Sequence, residues 1–115
     1  MNIKILAEDK LFSQFIRRRD RKCVRCGSSV RFNEKGEAIS HSVSHYLTRG
    51  NWAVRFDEEN CITLCFPCHQ RWGGDEREEF KKFMAGWLGR SAFGSLMARS
   101  NGYANKTKVR EWAKA

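Results

Sequence analysis

Residues 60–69 read Asn-Cys-Ile-Thr-Leu-Cys-Phe-Pro-Cys-His, and residues 23–27 read Cys-Val-Arg-Cys-Gly. Each stretch contains a Cys-x-x-Cys pair, and the four cysteines are Cys23, Cys26, Cys65 and Cys68. In structural zinc sites, two such pairs converge on one tetrahedral Zn²⁺ ion with four thiolate ligands. The sequence therefore predicts a structural zinc site, because four protein ligands leave no coordination position for a reacting water.

The spacer between the two pairs is longer than the ~15–20 residues of a zinc ribbon, so we expect a structural insert between them. Ordinary buried cysteines and a redox Cys-x-x-Cys are the alternatives. The redox alternative is disfavoured because no βαβ pattern surrounds either pair. The fifth cysteine, Cys61, is interpreted as a buried core thiol.

The chain has 115 residues, of which 41% are hydrophobic and 30% charged, and this composition predicts one small globular domain. No apolar run approaches the ~20 residues of a membrane span, and no signal peptide is evident. We therefore expect a soluble cytoplasmic protein with no membrane partner. Cysteines in that compartment are more often metal ligands than disulfides.

The formal net charge is +9, and its distribution along the chain is uneven. The excess lies in residues 1–22 and 86–115, whereas residues 23–85 contain equal numbers of acidic and basic side chains. A neutral centre with two basic flanks suits a protein that grips a polyanion such as DNA. Solvated surface charge is the alternative interpretation, and acidic lipid is disfavoured because no basic amphipathic helix with an aromatic face is present.

The first predicted element is a helix over residues 8–19, which begins with acidic and ends with basic residues. Its apolar face is predicted to consist of Leu11, Phe12, Phe15 and Ile16.

Two short strands are predicted, over residues 41–47 and 61–64, and a helix is expected to begin at the second Cys-x-x-Cys pair. Residues 28–40 are expected to form a loop or short hairpin, and residues 48–60 a charged loop anchored by aromatic side chains, Trp52 and Phe56. Strands separated by loops and flanked by helices place the protein in the α+β class.

The C-terminal part is predicted to be helical. One helix is expected between an N-cap at Asp75 and a terminating Gly89, and another over residues 91–100. The chain is thereby divided into a domain of residues 1–100 and a basic tail of residues 101–115, partly helical near Val109–Trp112.

His45, Asn60 and His69 add a second pattern to the cysteine framework. Their order resembles the HNH endonuclease signature, in which a His on a strand is followed by an Asn five residues before Cys-x-x-Cys and by a His directly after it. The sequence segment SHYLTRG…VRFDEENC is similar to that of the phage NinG (Rap) recombination proteins, an HNH-related branch. The resemblance covers roughly Leu11 to Leu96.

This resemblance implies a zinc-stapled ββα-metal (His-Me finger) fold and hydrolysis of DNA phosphodiester bonds with one Mg²⁺ or Mn²⁺ ion. By position, His45 is the general base, Asn60 orients it or its loop, and His69 helps to hold the catalytic ion. An imidazole with an ordinary pKa of ~6.5 can accept a proton near neutral pH. The NinG likeness suggests branched or recombining DNA as the substrate class, in a bacterial or phage-infected cell.

Basic side chains supply candidate phosphate contacts. Arg49 and Arg55 lie between the motif residues and are predicted to bind nucleic acid, with solvent-facing loop arginines as the alternative. The tail, together with Arg99 just before it, could grip the DNA backbone or stack on a base, or it could be a solubilising end; the residues of interest are Arg99, Tyr103, Lys106, Lys108, Arg110 and Trp112.

The chain departs from the HNH pattern at the position before the base. HNH enzymes usually have Asp or His there as a metal ligand, but this chain has Ser44, and Asp57 is a candidate replacement. His41 is four residues from His45, or ~13 Å along a strand, so it is interpreted as a surface or hydrogen-bonded core histidine. His69 also departs from the NinG branch, which commonly has Asn at that position.

Three functional classes remain open from the sequence. A metal-dependent endonuclease is favoured because a pure binding module has no need of the three motif residues together. A non-catalytic zinc module that binds nucleic acid is the alternative supported by Ser44. A zinc domain for protein interaction fits the basic flanks poorly. Double-strand cutting by one domain would need two passes or a homodimer.

Overall fold

A computed structural model of the chain describes residues 5–102 and 106–114, with side chains described as far as Arg110 in the last helix. The elements are α1 (Ala7–Asp20), β1 (Ser42–His45), β2 (Cys61–Leu64), α2 (Phe66–Gly73), α3 (Arg77–Leu88), α4 (Arg90–Ser100) and α5 (Lys106–Lys114). A 3-10 turn, Glu58–Asn60, precedes β2 directly. The architecture is a small α+β fold, as the sequence predicts, and no described helix is both long and apolar enough to cross a bilayer.

The two strands form one antiparallel sheet in which Ser42 pairs with Leu64 and His45 with Cys61. Since side chains alternate along a strand, the sheet presents two different faces. One face packs against α1 in a cluster of Phe12, Ile16, Val43, Phe56 and Cys61. The other packs against α2 and α3 in a larger cluster of Cys23, Tyr46, Ile62, Leu64, Cys68, Trp72, Phe80 and Met84.

Helix α1 forms as predicted but buries only half of its predicted apolar face. Phe12 and Ile16 are buried, whereas Leu11 is 58% and Phe15 48% exposed. The sheet that α1 covers is only two strands wide, and it reaches one ridge of the helix. The helix ends at Arg21, whose backbone is left-handed (φ 62°) and whose N–H donates to the Arg17 carbonyl.

In the C-terminal part of the chain, α4 packs on α3. Gly89 separates them, as predicted, with a φ of 87° that a side chain would strain. Asp75 is not the N-cap of α3: the cap residue is Glu76, and its side chain makes no capping bond. Segment 106–114 is a helix, α5, that packs on α1.

Candidate metal centre and candidate active site

The four predicted cysteines converge in the structure. Their Sγ atoms all lie within 4.8 Å of one another, and Cys26 and Cys65 are 3.6 Å apart at sulfur. A tetrahedral Zn²⁺ ion with Zn–S bonds of about 2.3 Å requires Sγ–Sγ separations of about 3.8 Å. The cluster therefore fits a metal ion such as zinc. Cys61 lies outside it, fully buried, and burial raises the pKa of its thiol.

Burial and neighbouring groups shift the pKa values of two thiols at this centre in opposite directions. The Ser28 hydroxyl beside Cys26 lowers the pKa of that thiol to about 6. Burial raises the pKa of Cys68 to about 12, but the Arg25 guanidinium donates a hydrogen bond to its sulfur at 3.4 Å. Arg25 also pairs with Glu79 on α3 at 3.1 Å, so it connects the metal centre to the C-terminal helices.

His45 ends β1 on the face that packs against α1. Its Nε2 lies 2.9 Å from the Arg55 carbonyl oxygen, and its ring is 6.5 Å from the ring of Phe12. A carbonyl oxygen only accepts, so Nε2 carries the proton and Nδ1 keeps its lone pair. Burial lowers the pKa of His45 to about 4, which keeps the imidazole neutral at physiological pH.

Asn60 is fully buried at the start of β2 and holds the loop between the strands, residues 46–60, which we call the β1–β2 loop. Its Oδ1 accepts from the Leu47 N–H at 2.8 Å. Its Nδ2 donates to the carbonyls of Leu47 at 2.9 Å and Val54 at 3.1 Å. Asn60 thus joins both ends of the loop that carries the carbonyl partner of His45.

His69 lies in α2, which packs beside β1, and is half-buried next to a groove of about 230 Å³. Burial and the positive charge of Arg49 lower the pKa of His69, and Arg49 has the same effect on His45. Arg49 is therefore an electrostatic neighbour of both histidines. Its Nε is buried and, among the described residues, has no hydrogen-bond partner.

Arg55 is placed differently from the prediction. Its side chain is only 2% exposed and forms a bidentate pair with Asp9 of α1, with Nε–Oδ1 of 3.0 Å and Nη2–Oδ2 of 2.6 Å. Burial alone would raise the pKa of Asp9, but the hydrogen bonds from Arg55 and the Leu6 backbone outweigh it and lower that pKa. This placement does not support contact between Arg55 and a phosphate; its guanidinium holds the loop to α1.

Among the residues that the structure describes, no other set of potential ligands is comparable to the four cysteines. Within the described ranges, the four cysteines are the one group of three or more potential His, Cys, Asp or Glu ligands close enough to share an ion. Ser44 is buried and faces α2 beside Ile62. Asp57 caps the 3-10 turn and pairs with Arg99 at 2.7 Å, so its carboxylate is engaged by the protein, and its role as the replacement ligand stays a prediction.

The remaining candidates are accounted for individually. His41 is half-buried, hydrogen-bonded to Ser28 at 3.0 Å and Ser40 at 2.9 Å. Arg110 pairs with the buried carboxylate of Glu8 at 2.5 Å. Tyr103 and the Trp112 side chain lie outside the described part of the chain.

Asp9 and Glu8 are the residues near the site that sequence reasoning missed. Acidic residues in the first turn of a helix are ordinarily explained by the helix dipole. No local signal distinguishes these two, since their partners, Arg55 and Arg110, are far away in sequence.

The geometry defines a small α+β protein with four cysteines positioned to bind a metal ion and a half-buried histidine at the end of its sheet. A protein-family model described as Bacteriophage Lambda NinG protein matches residues 5–114, and the chain belongs to this family. No match was found among curated proteins or among solved structures.

The lowered pKa of His45 gives a testable pH dependence of stability. The unfolded chain binds a proton at this histidine below its ordinary value of 6.5, but the folded protein does so only near 4. The free energy of unfolding contributed by neutral His45 is therefore complete above about pH 6.5 and is lost as the pH falls towards 4. We expect a loss of no more than about 3 kcal/mol over this window.

This contribution is measured as a difference between two proteins, because cysteine protonation also weakens metal binding at low pH. In His45→Gln the amide can still donate to the Arg55 carbonyl, but it does not titrate. Urea unfolding at pH 7 and pH 4.5 should show a larger loss of stability for the wild type. Equal losses in the two proteins would contradict the assignment of a buried neutral His45.

Proposed function

We propose that the protein is a metal-dependent HNH endonuclease that hydrolyses DNA phosphodiester bonds. The observation that carries the proposal is the hydrogen bond from His45 Nε2–H to the Arg55 carbonyl, which leaves the Nδ1 of the neutral imidazole with its lone pair. Asn60, in the 3-10 turn directly before β2, and His69, in α2, follow His45 along the chain, and the element order strand, strand, helix is that of a ββα-metal core.

The chemistry assigned to the protein's own residues is proton abstraction and charge stabilisation. His45 Nδ1 takes a proton from the attacking water as its oxygen bonds to phosphorus, and the bond to the leaving oxygen breaks. A phosphate anion beside His45 raises the pKa of the imidazole in the complex, which makes it a more effective base. Arg49, whose side chain is 30% exposed, is the candidate donor to a phosphate oxygen.

A divalent ion at His69 would polarise the phosphate and stabilise the leaving oxygen, with phosphate oxygens and water as its other ligands. The four-cysteine centre has a different role, since a closed thiolate shell stabilises the fold and binds no substrate. Membership of the NinG family supports recombining or branched DNA as the substrate class.

The alternative is a non-catalytic zinc module that binds nucleic acid. Two observations favour it: Ser44 cannot serve as the expected ligand, and no second group of three ligands is found among the described residues. Incubation of the zinc-loaded protein with supercoiled plasmid and with a four-way DNA junction, each with Mg²⁺ or Mn²⁺, distinguishes the two functions.

The endonuclease proposal expects ion-dependent conversion of supercoiled plasmid to nicked circles. Gel retardation of the same DNA that weakens with salt, without cleavage under any ion, would instead establish the binding module. Faster cleavage of the junction than of a linear duplex of equal length would support branched DNA as the substrate.

A further inference from the structure

We propose that Asp9 and Arg55 form a positioning pair that fixes the tautomer and orientation of His45 and the place of Arg49. The pair connects helix α1 to the β1–β2 loop, which neither the HNH pattern nor the cysteine framework includes. Its effect on catalysis rests on the proposed endonuclease function, whereas its effect on His45 can be measured without any activity.

The Asp9–Arg55 pair is held rigidly. Two parallel hydrogen bonds, of 3.0 and 2.6 Å, join the Arg55 guanidinium to the Asp9 carboxylate, and both side chains are less than 5% exposed. The guanidinium also lies 4.5 Å from the ring centre of Trp52 and 5.8 Å from that of Phe56. A planar fork held at its edge and against aromatic rings has little freedom to rotate.

The backbone of Arg55 holds the candidate base, His45. The Arg55 carbonyl oxygen receives the Nε2–H of His45 at 2.9 Å. A side chain fixed to α1 therefore fixes the position of this acceptor. The acceptor decides which ring nitrogen of His45 carries the proton and which one keeps its lone pair.

The Asp9–Arg55 pair also contacts Arg49. Arg55 Nη1 donates to the Arg49 carbonyl at 3.3 Å, and the Asp9 carboxylate lies 3.8 Å from Arg49 Nε. Asp9 thus faces two arginines, one buried and one 30% exposed at its side chain. The Arg49 guanidinium is held beside the Asp9 carboxylate and stays partly exposed.

A purely structural role would not require this chemistry. Buried ion pairs are often replaceable by apolar residues without loss of stability, because desolvation offsets their attraction. An apolar contact has no fixed direction, whereas a bidentate pair does. Here the direction of the pair places the Arg55 carbonyl and the Arg49 guanidinium.

The test uses ¹⁵N-histidine-labelled, zinc-loaded protein and long-range ¹H–¹⁵N correlation spectra, which report the tautomer of each histidine. Asp9→Asn removes the charge, and Arg55→Lys keeps the charge but removes the fork. Arg55→Lys leaves the buried Asp9 carboxylate paired with a cation. We therefore expect this variant to fold even if Asp9→Asn does not. Glu59→Gln removes a loop ion pair to Arg99, and Met84→Ala weakens the distant core, so these two are the controls.

We expect His45 to be the Nε2–H tautomer in the wild type and both controls, and a mixture of tautomers in Arg55→Lys and in Asp9→Asn. Plasmid nicking by the last two should fall by about tenfold to a hundredfold in kcat with little change in KM. An unchanged His45 tautomer in both would overturn the proposal, as would an equal loss of kcat in Met84→Ala. If the wild type does not nick DNA, the endonuclease function fails, but the tautomer comparison still decides the positioning claim.

Discussion

Cys26→Ser is expected to lose the bound metal ion and most of the stability of the domain. Cys26 is exposed, so the substitution leaves no cavity in the core, and the loss reports the metal ligand itself. A metal ion present at a thousand times its dissociation constant stabilises a folded protein by about 4 kcal/mol. That is a large part of the ~5–15 kcal/mol that small domains possess.

The matched control is Cys61→Ala, because Cys61 is a buried cysteine outside the metal centre. This variant should keep one zinc ion per chain and lose about 1 kcal/mol from altered packing. Zinc content measured by mass spectrometry and thermal unfolding followed by circular dichroism compare the two. We expect a fall in Tm of about 15 °C for Cys26→Ser. A Cys26→Ser protein with stoichiometric zinc and an unchanged Tm would exclude the four-cysteine centre.

The second large effect is expected for His45→Ala in the plasmid nicking assay. If His45 is the general base, its removal should slow nicking by about a hundredfold or more. Retardation of DNA in a gel should not change, because His45 is largely buried and accepts a proton rather than binding a phosphate.

His41→Ala is the control for this experiment, since His41 is a histidine hydrogen-bonded to Ser28 and Ser40 at the opposite end of β1. It should nick at the wild-type rate. Equal rates for His45→Ala and wild type would show that another group activates the water. Slow nicking by both variants would point to a general disturbance of β1.

The order and bounds of the main elements could be predicted from the sequence because their signals are local. Helix α1, strand β2 and the interruption at Gly89 are each encoded within a few neighbouring residues by periodicity and by glycine conformation. The N-cap at Asp75 was wrong by one residue, since capping depends on the entry angle of the chain as well as on the residue type.

The candidate site was predicted less completely. The amide of Asn60 holds the β1–β2 loop through hydrogen bonds to the backbone of Leu47 and Val54. Neither partner belongs to a sequence motif, so these contacts could not be predicted. Arg55 was predicted to face nucleic acid because it is basic and lies in a loop. The structure buries it instead against Asp9, which is 46 residues away.

The sequence by itself determined the metal centre, because two Cys-x-x-Cys knuckles need only be brought together for four thiolates to meet. It also singled out His45, Asn60 and His69 as candidate site residues, and their catalytic roles stay a prediction. Only the tertiary structure decided which ridge of α1 is buried, which of the two arginines is enclosed and which stays partly exposed, and which nitrogen of His45 meets a backbone carbonyl. Those outcomes depend on contacts between distant segments, whose geometry is set by packing and desolvation rather than by any local pattern.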